Sequence, residues 1–212
     1  MKNILCFGDS NTHGHRPDGL GRYKWDERWT GLLQRALGEE YRILEEGLNG
    51  RTTVWEDEIE LDKSGKKHLP SCLLTHAPLD LVVLMLGTND MKRRFSLTPS
   101  DIGLGIETLL RIIQQTDNER AEAPKILLAA PTYLLEQTSL GEMIGNRRAD
   151  TLRLGEIYAE IAARYGTGFI NVAEVTGPSP IDGIHLDLEG HKKVAVAMEK
   201  KIREMFRDET AV

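Results

Sequence analysis

Four short segments of the chain carry the residue types that acyl transfer needs. Gly8-Asp9-Ser10-Asn11-Thr12-His13-Gly14 offers a hydroxyl on Ser10, and Asp182-Gly183-Ile184-His185 offers an imidazole with a carboxylate three residues before it. At that separation a bent segment lets the carboxylate accept from one ring nitrogen and leaves the other facing a hydroxyl. Gly183 eases the bend, because a residue without Cβ turns sharply at lower cost. The same chemistry needs donors for the negative oxygen that forms on a carbonyl under attack. The candidates are the backbone N–H groups of Ser10 and Gly50 and the side-chain amide of Asn89, a neutral donor that brings no competing charge.

Each residue also has an ordinary structural use. Ser10 suits a helix cap, Asn89 a turn that closes a strand, Gly50 a left-handed turn, and the Asp182–His185 pair a solvated loop. What separates the two readings is whether the chain brings these segments together.

The surrounding pattern says that it does. Residues 4–7 form a short apolar run that breaks at Gly8-Asp9-Ser10, and residues 79–86 are nearly continuous apolar residues ending at Gly87-Thr88-Asn89-Asp90. Such runs are expected of strands covered on both faces. Shorter strands are expected at 41–44, 125–130 and 168–173. Between them lie segments with apolar residues at helical spacing. Asp26 is placed to cap a helix bearing Trp29, Leu32, Leu33, Ala36 and Leu37, and 69–76 is a short helix. Thr98 with Pro99 begins a helix bearing Ile102, Ile106, Leu109, Leu110 and Ile113, and further helices span 149–165 and 188–206. This alternation predicts an α/β fold, a three-layer α/β/α sandwich on about five parallel strands. In that architecture the loops carrying Ser10, Gly50 and Asn89 rise at one edge of the sheet, and the Asp182–His185 loop returns to it.

Size and composition narrow the alternatives. The 212 residues are expected to form a single domain over 1–212, large enough to bury a full core. A net charge of −6, with basic residues clustered only in pairs such as Lys66-Lys67 and Arg93-Arg94, argues against a nucleic-acid partner. Two cysteines make neither a disulfide framework nor a metal set, and His68 and His76 lack any ligand spacing. No metal or organic cofactor is expected. The first residues run straight into a strand and no apolar stretch reaches membrane-spanning length, so a cytoplasmic protein without a membrane partner is the expectation.

Taken together, Gly8-Asp9-Ser10, Gly50 after the second strand, Gly87-x-Asn89-Asp90 and Asp182-x-x-His185 resemble the four sequence blocks of the SGNH hydrolases, also called the GDSL esterase family. The resemblance spans residues 8–185. It is nearest to the bacterial arylesterase/acyltransferase branch, through Glu45-Glu46-Gly47-Leu48, Arg51-Thr52-Thr53, Leu69-Pro70-Ser71-Cys72-Leu73 and Leu86-Gly87-Thr88-Asn89-Asp90. It implies a flavodoxin-like SGNH hydrolase fold with Ser10 as nucleophile, His185 as base and Asp182 as its partner, and an oxyanion hole of Ser10, Gly50 and Asn89. The activity implied is hydrolysis of carboxylic esters of aryl or alkyl alcohols, with carbohydrate acetates as a second substrate class and acyl transfer to an alcohol where the pocket excludes water. With only 6% aromatic residues and no helical lid, short-chain acyl groups are expected.

The chain departs from the family pattern at Asn11, where Leu is usual, and Gly47 competes with Gly50 for the second block. Asp9 and Asp90 are read as structural carboxylates, and His191 as packing or surface. Asn11, Thr12, His13, Trp55, Phe95 and Ile184 are expected around the substrate, with His15 at the mouth of the pocket. Residues 55–68, 91–97 and 131–148 are expected to frame that pocket or to form a contact between subunits of a homo-oligomer. A phosphate- or flavin-binding module of flavodoxin type is the rival from another class, and it assigns no role to Asp182 or His185. A catalytically inactive relative that only binds acylated ligands is the second rival.

Overall fold

A computed structural model describes residues 1–207. Its centre is a five-stranded parallel sheet of β1 (Lys2–Gly8), β2 (Tyr41–Gly47), β3 (Leu81–Met85), β4 (Lys125–Ala130) and β5 (Gly168–Asn171), in the order β2-β1-β3-β4-β5. The chain lays β2 on one side of β1 and β3 on the other, so the direction of sheet growth reverses between β1 and β3. Ligands of open α/β sheets bind at such a switch, beyond the carboxyl ends of the strands.

Side chains alternate between two faces, as the strand period requires. Leu5, Phe7, Val82, Leu84, Ile126 and Leu128 pack against α3 (Gly65–His76), α4 (Pro99–Gln115) and α5 (Arg148–Tyr165). Ile4, Cys6, Leu81, Val83, Met85 and Leu127 pack against α2 (Trp29–Leu37) and α7 (Leu188–Arg207). Two short helices complete the set: α1 (Ser10–His13) follows β1, and α6 (Val172–Val175) follows β5. Among the described residues no helix is long and apolar enough to cross a membrane. Cys6 and Cys72 are both free.

The start of α4 follows the sequence closely. Thr98 caps it with Pro99 next, and the Asp101 side chain returns the bond to the cap in a full capping box. Four expectations need correction. Asp26 does not cap α2; Arg28 holds that position without a side-chain cap bond, because a guanidinium carries only donors, and these go to Glu45 at 2.7 and 2.6 Å. β2 runs on to Gly47 past the charged pair Glu45-Glu46, whose side chains meet Arg28 and His76. α3 begins at Gly65 rather than near residue 69, since the carbonyls of Thr52 and Thr53 take the first helical N–H groups, those of Gly65 and Lys66. β5 stops at Asn171, whose side chain caps α6 by accepting from the Ala173 N–H.

Candidate active site

Ser10 is the first residue of α1, immediately beyond β1. Asp9 caps the helix, its Oδ1 accepting the Asn11 N–H at 2.9 Å. The next two N–H groups, those of Thr12 and His13, go to the Asp9 carbonyl at 3.1 and 2.8 Å, which leaves the Ser10 N–H as the donor this turn can offer. Across the sheet edge, the Ser10 Oγ lies 2.9 Å from Nε2 of His185, and Nδ1 of that ring lies 2.5 Å from Oδ2 of Asp182. An ionised carboxylate only accepts, so Nδ1 carries the proton and the neutral ring leaves Nε2 to accept from the serine hydroxyl. Asp182 is itself held. Its Oδ1 accepts from the Ile184 N–H at 2.9 Å and the His185 N–H at 3.0 Å. Burial pushes its carboxyl up, but the bonds from the His185 ring and from the two backbone N–H groups outweigh that and hold it below the ordinary aspartate range. The carboxylate therefore stays charged beside the ring it orients.

Ser10 and His185 open on a cleft of about 310 Å³. Asn89 and Gly50 line it with them. One amide hydrogen of Asn89 goes to the Arg51 carbonyl at 3.1 Å, which fixes the side chain and leaves its second donor available. Gly50 sits at φ +82°, a conformation that side-chain-bearing residues rarely adopt. Gly47 has another task. A Cβ there would come within 2.2 Å of the His13 backbone nitrogen, so this glycine lets the end of β2 lie against α1. The Arg51 guanidinium joins the ends of both strands: it donates to the carbonyls of Gly8 and Glu46 and stacks 4.0 Å from the Phe7 ring.

The two remaining carboxylates of the motifs brace loops. Asp9 is buried and faces Asn11, and burial pushes its carboxyl up. Asp90 is buried and accepts from Thr53 through the backbone N–H at 3.0 Å and the hydroxyl at 2.5 Å, tying the Asn89 loop to the Gly50 loop. Among the described residues no group of His, Cys, Asp and Glu is arranged to hold a metal ion.

The structure brings Ser10, Gly50, Asn89, Asp182 and His185 to one place, but the six expected substrate contacts lie outside the cleft lining. Asn11, Thr12 and Ile184 are buried behind the nucleophile. His13 lies beside the strand end at Gly47, with Arg22 donating to its carbonyl. Trp55 and Phe95 pack half-buried on the core. His15 lines the cleft, and with it are Asn49, Glu60 and Lys92, and Leu140 and Met143. His15 packs against the His185 ring with centroids 4.5 Å apart and the planes tilted by 55°. Burial, followed by the neighbouring His185, pushes the His15 imidazole below its ordinary pKa, which favours a neutral ring. Glu60, Lys92, Leu140 and Met143 come from the three long segments flagged in the sequence. Lys92 had a signal, three residues after Asn89; Glu60 had none that distinguished it from its charged neighbours.

A parallel α/β sheet that sets a serine, a histidine and an aspartate in a hydrogen-bonded row at its switch point defines the class of α/β serine hydrolases. The sequence model of the GDSL-like lipase/acylhydrolase family matches residues 6–193, and the chain belongs to that family. No curated protein matches the chain. Solved structures similar to it include a carbohydrate acetylesterase family member from Sinorhizobium meliloti, 38% identical with a TM-score of 0.93 over 97% of this chain and 99% of that one. The native aryl esterase of M. smegmatis is 36% identical with a TM-score of 0.90, over 96% and 99% of the two chains. Est24, a carbohydrate acetylesterase from Sinorhizobium meliloti, is 33% identical with a TM-score of 0.92, over 97% and 100%.

Proposed function

We propose that the protein is a serine esterase that removes short acyl groups through an acyl-serine intermediate. The observation that carries this reading is the unbroken row from Ser10 Oγ to His185 at 2.9 Å and on to Asp182 at 2.5 Å, at the wall of an open cleft. In this mechanism His185 Nε2 takes the hydroxyl proton as Ser10 Oγ attacks the ester carbonyl. The developing negative oxygen is met by the N–H groups of Ser10 and Gly50 and the free amide hydrogen of Asn89. The alcohol leaves with the proton from His185. Water then enters by the same route and frees the acid. Where an alcohol reaches the acyl-serine before water does, the acyl group passes to it.

Acyl chain length is set by space. A cleft of about 310 Å³ is at the small end of ligand pockets. Acetyl-sized groups fit this better than long chains. The carbohydrate acetylesterases among the similar structures support an acetyl-sized group, and the aryl esterase beside them leaves both classes of alcohol open. The test is a series of p-nitrophenyl esters from acetate to decanoate, run with wild type and Ser10→Ala, together with fluorophosphonate labelling. Activity highest on acetate, absent from Ser10→Ala, with one label on Ser10, is expected. A serine that resists labelling in the folded protein sinks the reading, and so does activity that survives Ser10→Ala.

A further inference from the structure

One wall of the cleft is charged, and the hydrolytic steps make no use of it. Lys92, its side chain only 2% exposed, places its ammonium 2.7 Å from Glu60 Oε1 and 3.4 Å from Asp57 Oδ2. Arg94 donates to the same two oxygens at 2.6 and 2.5 Å. Asp57 is fully buried and also accepts from the backbone N–H groups of Ile59 and Glu60. Both cations thus meet Glu60 on one oxygen. Its other oxygen, Oε2, lies beside Gly50, where an added Cβ would stand 2.8 Å from it. Glu60 is one-third exposed and lines the cleft with Ser10 and His185.

This is a costly position for a carboxylate. Burial raises the Glu60 carboxyl, but its bonds to Lys92 and Arg94 hold it below the ordinary range, so it remains ionised next to a donor for the oxyanion. The two cations offset its field, yet an ion network that served stability alone would not need to place a carboxylate in the cleft lining, and apolar replacements of such networks are often as stable. The wall also tells what it suits. A carboxylate oxygen accepts and cannot donate, and its strongest uncharged partners are O–H groups. Lys92 on the same wall disfavours a cationic ligand, and Glu60 disfavours an anionic one. Asn49 adds an amide that both donates and accepts. An uncharged group rich in hydroxyls matches all three.

We propose that Glu60 is a specificity-determining residue, accepting through Oε2 a hydrogen bond from a free hydroxyl on the alcohol portion of the ester. The preferred substrates are then short-acyl esters of uncharged polyhydroxylated alcohols. The inference rests on the esterase reading of Ser10, His185 and Asp182 given above.

The experiment compares two acetates with the same carbon skeleton, glycerol 1-acetate and n-propyl acetate, which differ only in two hydroxyls. The quantity read is the ratio of their kcat/KM values, and intrinsic reactivity cancels when a variant is compared with wild type. Glu60→Gln keeps the length of the side chain and an oxygen for Lys92 and Arg94, but removes the charge. A hydrogen bond to a charged group is strong enough that the ratio is expected to fall about tenfold, carried mostly by KM for the glycerol ester. Glu60→Asp, which retracts the oxygen, lowers the ratio as well and stands in if the first variant does not fold. Arg94→Gln loosens the same ion network from outside the cleft lining and is expected to keep the wild-type ratio. A ratio unchanged in Glu60→Gln or Glu60→Asp overturns the proposal, as does an equal fall in Arg94→Gln, which would mark the effect as structural. If wild type cleaves neither acetate and Ser10 takes no fluorophosphonate, the esterase reading falls and this one with it. Labelling of Ser10 with an unchanged ratio defeats this proposal alone.

Discussion

The carboxamide of Asn11 brackets His185 along the backbone on either side of it. Its Oδ1 accepts the Leu186 N–H at 2.9 Å and its Nδ2 donates to the Ile184 carbonyl at 3.5 Å. The side chain next to the nucleophile therefore fixes the loop that carries the base. The Asn11 carbonyl is held in turn by the Trp29 indole N–H at 3.1 Å. A leucine at this position, the usual family residue, has neither donor nor acceptor. Asn11→Leu leaves a buried N–H and a buried carbonyl without their partner, which costs about 1–3 kcal/mol. The expected outcome is a lower urea midpoint and a lower kcat with KM little changed, because the loss falls on the placing of His185 and not on the cleft wall. A variant as stable and as active as wild type would show that the bracket is idle.

Removal of the reacting groups is expected to be severe and non-additive. Ser10→Ala or His185→Ala alone should lower kcat by at least ~10³-fold, and the double variant should be scarcely worse, since groups that act as one unit lose their effect together. Asp182→Asn keeps the shape of the side chain but offers the wrong partner to Nδ1, and about 10⁴-fold is the loss that such a change produces in a serine triad. The check is steady-state kinetics on p-nitrophenyl acetate for the three single variants and one double. Additive losses in the double variant would mean that Ser10 and His185 do not act as one unit.

Asn89→Ala tests the donors separately from the relay. Losing one oxyanion donor typically lowers kcat by ~10²–10³-fold. Fluorophosphonate labelling of Ser10 should persist at a reduced rate, because the nucleophile and its base are untouched. The variant also gives up the bond to the Arg51 carbonyl, so its melting temperature has to be read beside its kcat. A fall in KM-controlled binding with kcat intact would place Asn89 on the substrate and not on the oxyanion.

The sequence was legible where one physical rule governed. Alternation of apolar strands and periodic helices led to a parallel α/β sandwich, and the Thr98-Pro99 start of α4 appeared where local capping predicts it. The convergence of Ser10, Gly50, Asn89 and Asp182–His185 followed from topology, because loops after parallel strands share an edge. The cleft wall was not legible. Trp55 and Phe95 drew attention as large side chains in long loops, but burial of an aromatic ring on the core outweighed exposure to a cleft. The segments holding Glu60 and Lys92 were expected near the pocket, but only the folding of the loop after β2 over the turn after β3 makes these two residues partners. Asn11 was read as a change to the pocket. Its partners Ile184 and Leu186 are more than 170 residues away, and no local pattern encodes such a bond.

His191 supplies a pH-dependent term that a single substitution isolates. Its ring is fully buried, and Nδ1 accepts the Trp29 N–H at 3.2 Å, so the fold holds the neutral form at the start of α2. Burial, only partly countered by Asp187, pushes its pKa down from the usual 6.5 to about 4. The unfolded chain therefore binds a proton that the folded chain refuses. Stability from this group is complete above the unfolded value near 6.5 and is lost as pH falls toward the folded value near 4, by about 3 kcal/mol at most. Asp90 works in the opposite sense within much of this window, since burial pushes its carboxyl up to about 6 and protonation there favours the fold. The readout is therefore the difference between two curves and not the wild-type curve alone. Thermal melts of wild type and His191→Gln between pH 7 and pH 4 should converge as the pH falls, with wild type losing more. Parallel curves would show that His191 is protonated in the folded protein or is not sealed from water.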